Sequence, residues 1–255
     1  MLIDCVSFLN EYEMLEGRLK YLYDIVDHFI IVESDFTYTG TPKPFNFQEN
    51  RDRYMPFMDK IIYLPTHLDY QPGVNPWHIE DRQRNRYNDA LQEFSNDTVV
   101  MMSDCDEIPL KATIPAAIED LKQKGTTTAF QQQCFWFNFD CYATYHSNPW
   151  PGTIMSTVGI LRNQTTGPMR GQRYHYRPTQ NGGYHLSYFF DNERISFKIQ
   201  SSSHREQDSE TVRNLDYISD KIKNRICLFN NVPFDTPPPI DPEIYEIFHG
   251  LQNMG

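Results

Sequence analysis

The sequence lacks several features that define familiar protein classes. Its five cysteines are odd in number and include no Cys-x-x-Cys pair, which argues against a disulfide framework or a zinc site and predicts reduced thiols. There is no recognisable secretory signal and no apolar run of membrane-spanning length. Positive charge is also scarce: the net charge of −11 argues against nucleic acid or an anionic membrane as partner. We therefore expect a soluble, cytoplasmic protein without membrane insertion.

The chain of 255 residues, with 39% hydrophobic content, can bury a large core, and no repeat or linker divides it. An apolar run at residues 2–9 predicts a first strand, and leucines one turn apart in residues 11–26 predict a helix after it. A strand, helix, strand order with short connections predicts a right-handed parallel unit. We expect one α/β domain over residues 1–255, with a mostly parallel central sheet flanked by helices. Its end is predicted to be a Pro-rich extended segment at about 232–242 and a short helix at about 243–251.

The most informative stretch is an apolar run that ends abruptly in acidic residues. Val99 to Met102 show no polar alternation, which is typical of a central strand covered on both faces, and Pro109 cannot continue the strand. If the backbone stays extended, Asp104 and Asp106 face the same side, as Mn²⁺ or Mg²⁺ binding would require. The alternative is that one of them caps a following turn. The position at a strand end favours the metal site.

Two further polar groups are candidates for contacts to a phosphorylated donor. Glu33 follows the second apolar run and could accept hydrogen bonds from a ribose or base, or could be a solvated acid that begins a loop. A helix predicted at residues 78–94 carries Gln83, Arg84 and Asn85 together with two more arginines. This cluster could contact a diphosphate, or could form a solvated face paired with neighbouring acids.

Aromatic residues make up 14% of the chain and are dense in a strand-like run at residues 127–144. Trp136, in a strand-like run, and Trp150, in the next loop, predict an aromatic-rich acceptor-side platform, although a packed core would use the same rings. Gly183 and the glycine before it would permit close approach of the backbone to a ligand. His204 lies among polar residues and is either a third metal ligand or a lone surface histidine.

Several short motifs occur in a fixed order between about residues 4 and 206. They are Asp4-Cys5, Phe8-Leu9-Asn10-Glu11, Leu15-Glu16-x-Arg18-Leu19, Val32-Glu33-Ser34 with Thr37, Gly40-x-Pro42-Lys43-Pro44, Gln83-Arg84-Asn85, Ser103-Asp104-x-Asp106-Glu107-Ile108-Pro109, Gly183-Tyr184-His185-Leu186-Ser187, and Lys198 with Ser203-His204-x-Glu206. Taken together, they resemble glycosyltransferase family 17, the group of β-1,4-mannosyl-glycoprotein β-1,4-N-acetylglucosaminyltransferase-like enzymes.

The resemblance implies a GT-A-like, Rossmann-type fold and a metal-dependent inverting transferase. The enzyme would move GlcNAc or a related sugar from a nucleotide-sugar donor, expected to be a UDP-sugar, to a glycan hydroxyl. Mn²⁺ or Mg²⁺ would bind at the Asp-x-Asp motif. From the motifs and the residue patterns together, the predicted donor-site residues are Glu33, Gln83, Arg84, Asn85, Ser103 and Asp104; the predicted metal ligands are Asp104, Asp106 and His204; and the predicted acceptor-site residues are Gly183, Tyr184, His185, Trp136 and Trp150. Tyr184 stands where tryptophan is expected, which leaves the acceptor open.

Inversion requires a carboxylate that takes a proton from the acceptor hydroxyl. Glu193 and Asp191, just after the glycine pair, are the first candidates and Glu206 is the third, and no spacing rule selects among them.

Two other functions remain open from the sequence. A sugar-1-phosphate nucleotidyltransferase would also use an α/β fold with acidic metal ligands, but residues 7–13 contain no glycine for a phosphate-binding loop. A non-catalytic sugar-binding protein could use the same aromatic rings, but it would not need paired acids at a strand end. A metal-dependent phosphohydrolase is disfavoured because no dinuclear His/Asp set is evident.

Overall fold

The computed structural model describes residues 1–145 and 148–251; the remaining residues of the predicted 1–255 domain lie outside the described ones. The strands are β1 (Leu2–Phe8), β2 (His28–Ser34), β3 (Ile61–Thr66), β4 (Val99–Asp104), β5 (Glu107–Pro109), β6 (Thr128–Trp136), β7 (Trp150–Thr157) and β8 (Arg177–Ser187). The helices are α1 (Tyr12–Leu22), α2 (Asn46–Glu49), α3 (Pro76–Asn85), α4 (Tyr87–Leu91), α5 (Ile114–Lys124), α6 (Val158–Leu161), α7 (Thr166–Gly171), α8 (Asn192–Ser201), α9 (Glu210–Arg213), α10 (Leu215–Lys223) and α11 (Pro242–Phe248). Short 3₁₀ segments lie at Arg51–Phe57, Lys111–Thr113, Arg173–His175 and Arg205–Gln207.

All eight strands belong to one sheet, in the order β3-β2-β1-β4-β7-β6-β8-β5. Strands β1 to β4 are mutually parallel, as are β6 and β8, whereas β7 runs antiparallel to both neighbours and β5 runs antiparallel to β8. The predicted α/β fold, with a GT-A-like central sheet flanked by helices, is therefore confirmed, and clusters of aromatic rings are present. The parallel arrangement predominates in the β1–β4 half, and the other half is mixed.

The chain changes direction across the sheet between β1 and β4. It runs from β1 outward through β2 and β3, and then returns to place β4 on the other side of β1. Ser7 near the end of β1 pairs with Asp104 at the end of β4. The carboxyl ends at such a reversal leave a crevice where α/β proteins bind ligands. The fold thus places the acidic motif at the site expected for a ligand.

Some predicted elements are divided in the structure. The helix predicted at residues 78–94 is α3 followed by α4, with Arg86 between them. The strand-like run predicted at residues 127–144 ends at Trp136, because Phe137 adopts a positive φ of 66° that a strand cannot continue. Within the described part of the chain, no helix combines the length and the apolar character needed to cross a membrane.

Candidate functional site

A cavity of about 460 Å³ opens at the carboxyl ends of β1 and β4. It is lined from the β1 side by Ser7 to Leu9 and Glu11, and from the β4 side by Asp104 to Asp106. Helices α3, α7 and α8 supply most of its cationic side chains. These cations are Arg84, Arg170, Arg173 and Lys198. The lining also contains five carboxylates, so the cavity brings ionised groups of both signs together: Glu11, Glu80, Asp81, Asp104 and Asp106.

Asp104 is the partly exposed carboxylate at the end of β4, with 35% of its side chain accessible. Nη2 of Arg84 lies 2.6 Å from its Oδ1, and Nη2 of Arg170 lies 3.0 Å from its Oδ2. Burial opposes ionisation of this carboxyl, but Arg170 and Arg84 outweigh it and hold the pKa of Asp104 well below its usual value. Asp104 is therefore a carboxylate at neutral pH.

Asp106 also lines the cavity, although its backbone is not extended as predicted. Cys105 and Asp106 form a tight turn between β4 and β5, and Pro109 closes β5 rather than ending the acidic strand itself. Nζ of Lys198 lies 2.7 Å from Oδ2 of Asp106, and Nε2 of His185 lies 3.7 Å from Oδ1. Burial lowers the stability of the ammonium group, but Asp106 outweighs it and raises the pKa of Lys198. The turn therefore delivers both carboxylates to the cavity by a route other than strand alternation.

A buried network of ion pairs and hydrogen bonds holds the turn at residues 105–106 in place. Glu107 is fully buried and accepts hydrogen bonds from the backbone N–H of Asp104 and from Nε1 of Trp150, and it also pairs with Arg170. Arg18 of α1 donates to the backbone oxygen of Glu107 at 2.5 Å. Buried hydrogen-bonded networks of this kind restrict the positions of the groups that they hold. Asp104 and Asp106 are thus positioned by this buried network as well as by the cations of the cavity.

Four of the predicted donor-site residues are engaged in structural contacts outside the cavity lining. Glu33 is fully buried, and its carboxylate accepts from Lys43, Tyr63 and the backbone N–H groups of residues 46 and 47. Gln83 bonds to Ser34 and to the backbone of residue 32. The other two are Asn85, which joins α3 to α7 through the N–H of Gly167, and Ser103, which bonds to Arg18 and Thr153. These contacts occupy the polar groups that the sequence suggested for a ligand.

The predicted acceptor-site residues fall into two groups. His185, Trp136 and Trp150 line the cavity, and the rings of His185 and Trp150 stack with centroids 4.9 Å apart. Tyr184 points to the other face of β8, where its hydroxyl accepts from the backbone N–H of residue 241. Gly183 permits a close approach to β5 rather than to a ligand, since an added Cβ would lie 2.1 Å from the backbone oxygen of Ile108. The glycine pair is thus required for strand packing.

The three predicted base residues lie outside the cavity lining. Asp191 caps α8, where its carboxylate accepts from the backbone and side chain of Arg194. Glu193 is exposed on the first turn of that helix. Glu206 is exposed too, but its Oε1 lies 2.7 Å from Nδ1 of His204, a residue of the cavity lining. Among these three carboxylates, Glu206 alone contacts a side chain of the cavity lining, that of His204.

The three predicted metal ligands do not form a cluster. The side chain of His204 packs edge-on against Trp77 and bonds to Glu206. Within residues 1–145 and 148–251, no group of three His, Cys, Asp or Glu side chains is arranged to hold an ion. Asp104 and Asp106 nevertheless supply hard oxygen ligands at a cavity wall. This donor set fits Mn²⁺ or Mg²⁺ if the ion takes its other ligands from phosphate and water, as Mg²⁺ sites commonly do.

Several site residues were not predicted from the sequence. Lys198 and Arg170 reach the acidic motif from positions 92 and 66 residues away. Glu11 was visible only as part of a family motif, and Glu107 only as a neighbour of the aspartates. Buried carboxylates need cationic partners, so predicting that the acids of the motif are buried also predicts that lysine or arginine side chains lie beside them.

Comparison with known proteins finds a matching family model and curated relatives for this chain. The model described as "Glycosyltransferase family 17" matches residues 1–245. A protein from Rattus norvegicus named beta-1,4-mannosyl-glycoprotein 4-beta-N-acetylglucosaminyltransferase is 26% identical over 261 residues, and the Homo sapiens protein of that name is equally similar. Both matches cover 87% of this chain and 47% of the relative. The chain thus spans about half the length of the curated relatives that it matches.

Solved structures are more distant. A 4-diphosphocytidyl-2C-methyl-D-erythritol synthase from Anaerococcus prevotii has a TM-score of 0.44 and 9% identity, over 74% of this chain and 90% of that one. Glucosyl-3-phosphoglycerate synthase from Mycobacterium tuberculosis, solved with Mn²⁺, UDP and glucosyl-3-phosphoglycerate, has a TM-score of 0.39 and 14% identity, over 73% of this chain and 70% of that one. Scores of this size are too low for a functional comparison.

Proposed function

The chain belongs to glycosyltransferase family 17, and we propose that its cavity transfers GlcNAc or a related sugar from a UDP-sugar to a glycan hydroxyl, with inversion at the anomeric carbon. The observation that supports this proposal best is the position of Asp104 and Asp106. They lie together at the β1–β4 reversal of the sheet, in a cavity that also contains arginine and lysine. The names of the curated relatives suggest the sugar class.

The proposed donor lies across the ends of β1 and β4, with its diphosphate toward the cations. Cleavage of the bond between sugar and phosphate leaves negative charge on the departing UDP. Arg84, Arg170 and Lys198 are within the cavity wall and can stabilise that charge by charge-assisted hydrogen bonds. In this proposal four other residues support the donor site indirectly: Gln83 and Asn85 position α3, Ser103 positions β4, and Glu33 anchors the start of α2.

Asp104 and Asp106 would hold a divalent ion, Mn²⁺ or Mg²⁺, together with phosphate oxygens of the donor. The ion would supply Lewis-acid stabilisation of the leaving diphosphate. Both oxygens of Asp104 are engaged by arginines in the structure. Binding of the donor would give these arginines another anionic partner and would release Asp104. We therefore propose that the ion and the nucleotide bind together more strongly than either binds alone.

The proton of the acceptor hydroxyl is proposed to pass to His204, which Glu206 positions through the 2.7 Å contact at Nδ1. Replacing Glu206 with glutamine is expected to slow transfer by at most roughly 10²-fold, the lower end of the contribution of a general base. Asp191→Asn is a matched control, because Asp191 lies outside the cavity lining and caps α8. Initial rates over a pH series would separate the two variants. Equal rates for Glu206→Gln and the wild type at every pH would remove the pair from the mechanism.

The acceptor is proposed to lie against His185, Trp136 and Trp150, on the antiparallel side of the cavity. The stacked pair of His185 and Trp150 offers an aromatic wall of the kind that sugar rings pack against. Gly183 and Tyr184 contribute by fixing β8, the strand that carries His185.

The proposal is tested with a panel of UDP-, GDP- and CMP-sugars, with and without Mn²⁺. We expect Mn²⁺-dependent hydrolysis of a UDP-sugar in the absence of acceptor, and thermal stabilisation by UDP that increases when Mn²⁺ is added. A ligand at a hundredfold excess over its Kd raises the unfolding free energy by about 2.7 kcal/mol. A non-catalytic sugar-binding protein would instead be stabilised by free sugars without hydrolysing any donor. Mn²⁺ and UDP effects that are only additive would contradict the proposed exchange at Asp104.

A further inference from the structure

Arg173 is a cavity cation that forms no ion pair with a described residue, although the charges of Glu107 and Asp104 partly offset its own. Arg84 pairs with Asp104, as does Arg170, while Lys198 pairs with Asp106. Arg173 has no carboxylate within 4.0 Å in the described part of the chain. Its guanidinium makes one hydrogen bond, from Nη1 to the backbone oxygen of Arg170 at 3.1 Å, and its Nε is buried without a partner.

Two aromatic rings hold this guanidinium in place. Its central carbon lies 4.8 Å from the ring centroid of Trp150 and 4.9 Å from that of Tyr174. Stacking of this kind orients an arginine through its faces, so that the terminal Nη groups at its edge can still donate to a planar anion. Burial, and then the neighbouring charge of Arg170, lower the pKa of Arg173, although a guanidinium remains protonated in proteins. An unpaired, partly buried cation is costly to retain, and an anionic ligand would offset that cost.

The position of Arg173 indicates which substrate would carry the anion. Its stacking partner Trp150 begins β7, and Trp150 in turn stacks on His185 of β8. Both strands lie beyond β4, on the opposite side from the β1–β3 half of the sheet. The proposed donor lies at the β1–β4 reversal, where Arg84 and Arg170 are available to its diphosphate. Arg173 therefore lies beside Trp150, which stacks on His185, and both of these rings belong to the proposed acceptor wall.

We propose that Arg173, oriented by Trp150 and Tyr174, binds an anionic group of the acceptor, a carboxylate or a phosphate carried by the acceptor sugar. The inference rests on the proposed transferase function. It deepens that function by assigning a class of acceptor: acidic or phosphorylated glycans rather than neutral ones. The guanidinium would donate two hydrogen bonds to the anion, a geometry that lysine cannot reproduce.

The test compares charged and neutral probes on the intact protein. Glucuronic acid and glucose 6-phosphate are titrated against methyl glucoside in the presence of UDP and Mn²⁺, with binding followed by tryptophan fluorescence and ligand-observed NMR. We expect at least one charged probe to bind about tenfold or more tightly than the neutral one. Arg173→Gln should abolish the difference and Arg173→Lys should retain part of it.

Separate measurements of UDP binding distinguish the two proposals. The Kd of UDP with Mn²⁺ should change less than about threefold in Arg173→Gln, and the unfolding temperature should confirm that the variant is folded. A loss of UDP affinity as large as the loss of probe affinity would overturn the inference by placing Arg173 on the donor phosphates. Equal affinity of the wild type for charged and neutral probes would also overturn it. Neither result would affect UDP-sugar hydrolysis, which tests the transferase function itself.

Discussion

Replacing Asp106 with asparagine is expected to reduce sugar transfer by roughly 10²–10³-fold, the loss seen when a preorganised charged contact to the reacting groups is removed. The amide has almost the same shape as the carboxylate but lacks its charge. It can neither bind a divalent ion strongly nor hold Lys198, which lies 2.7 Å from Oδ2 of Asp106. Asp104→Asn should reduce sugar transfer by a similar factor, because it removes the carboxylate that pairs with both Arg84 and Arg170.

Asp97→Asn is the matched control for these two variants. Asp97 is exposed and precedes β4, at the opposite end of the strand from the acidic motif. The measurements are Mn²⁺-dependent turnover of the UDP-sugar, Mn²⁺ binding by electron paramagnetic resonance, and the unfolding temperature. Turnover and Mn²⁺ binding at wild-type levels in both folded variants would refute the proposed role of the motif.

The sequence was sufficient to predict the half of the fold whose signals are local. The apolar runs that begin at Leu2, His28 and Val99 form strands, and the leucine spacing in residues 11–26 forms α1. The site at the end of β4 follows from these elements, because the order of parallel strands determines which carboxyl ends are adjacent. The turn at residues 105–106 was missed since Pro109 suggested an abrupt end of the strand. The chain instead reverses earlier and forms β5.

Two of the cations that pair with the acidic motif could not be assigned to it from the sequence. Arg170 and Lys198 reach Asp104 and Asp106 from α7 and α8, and although Lys198 belongs to one of the family motifs, the local sequence of neither residue indicates a carboxylate partner. Only the packing of both helices against the end of the sheet brings these charges together. The same packing takes His204 toward Trp77 and Glu206, whereas the sequence had suggested a place beside the aspartates.

Burial also explains why motif residues can be structural rather than catalytic. Arg18 lies within one of the motifs, yet it is fully buried beneath the cavity. Its Nε lies 2.7 Å from Oδ2 of Asp4, and its Nη2 lies 2.9 Å from Oγ of Ser103. Arg18 thus links the first strand to the strand that ends in Asp104. We infer that this ion pair maintains the alignment of β1 and β4 on which the proposed donor site depends.

Arg18→Met is accordingly expected to lower the free energy of unfolding by about 3–5 kcal/mol, because it leaves the charge of Asp4 buried without a partner. Arg53→Met is a matched control: Arg53 lies 2.7 Å from Glu13, the same distance as in the buried pair, but 34% of its side chain is exposed. Arg53 is partly hydrated and Glu13 keeps Arg194 as a second partner, so we expect this replacement to cost at most about 1 kcal/mol. The double variant Asp4→Leu/Arg18→Met should recover most of the loss, since it removes both charges. Denaturant unfolding of the four proteins measures these differences, and similar small losses for Arg18→Met and Arg53→Met would show that the buried pair does not secure the two strands.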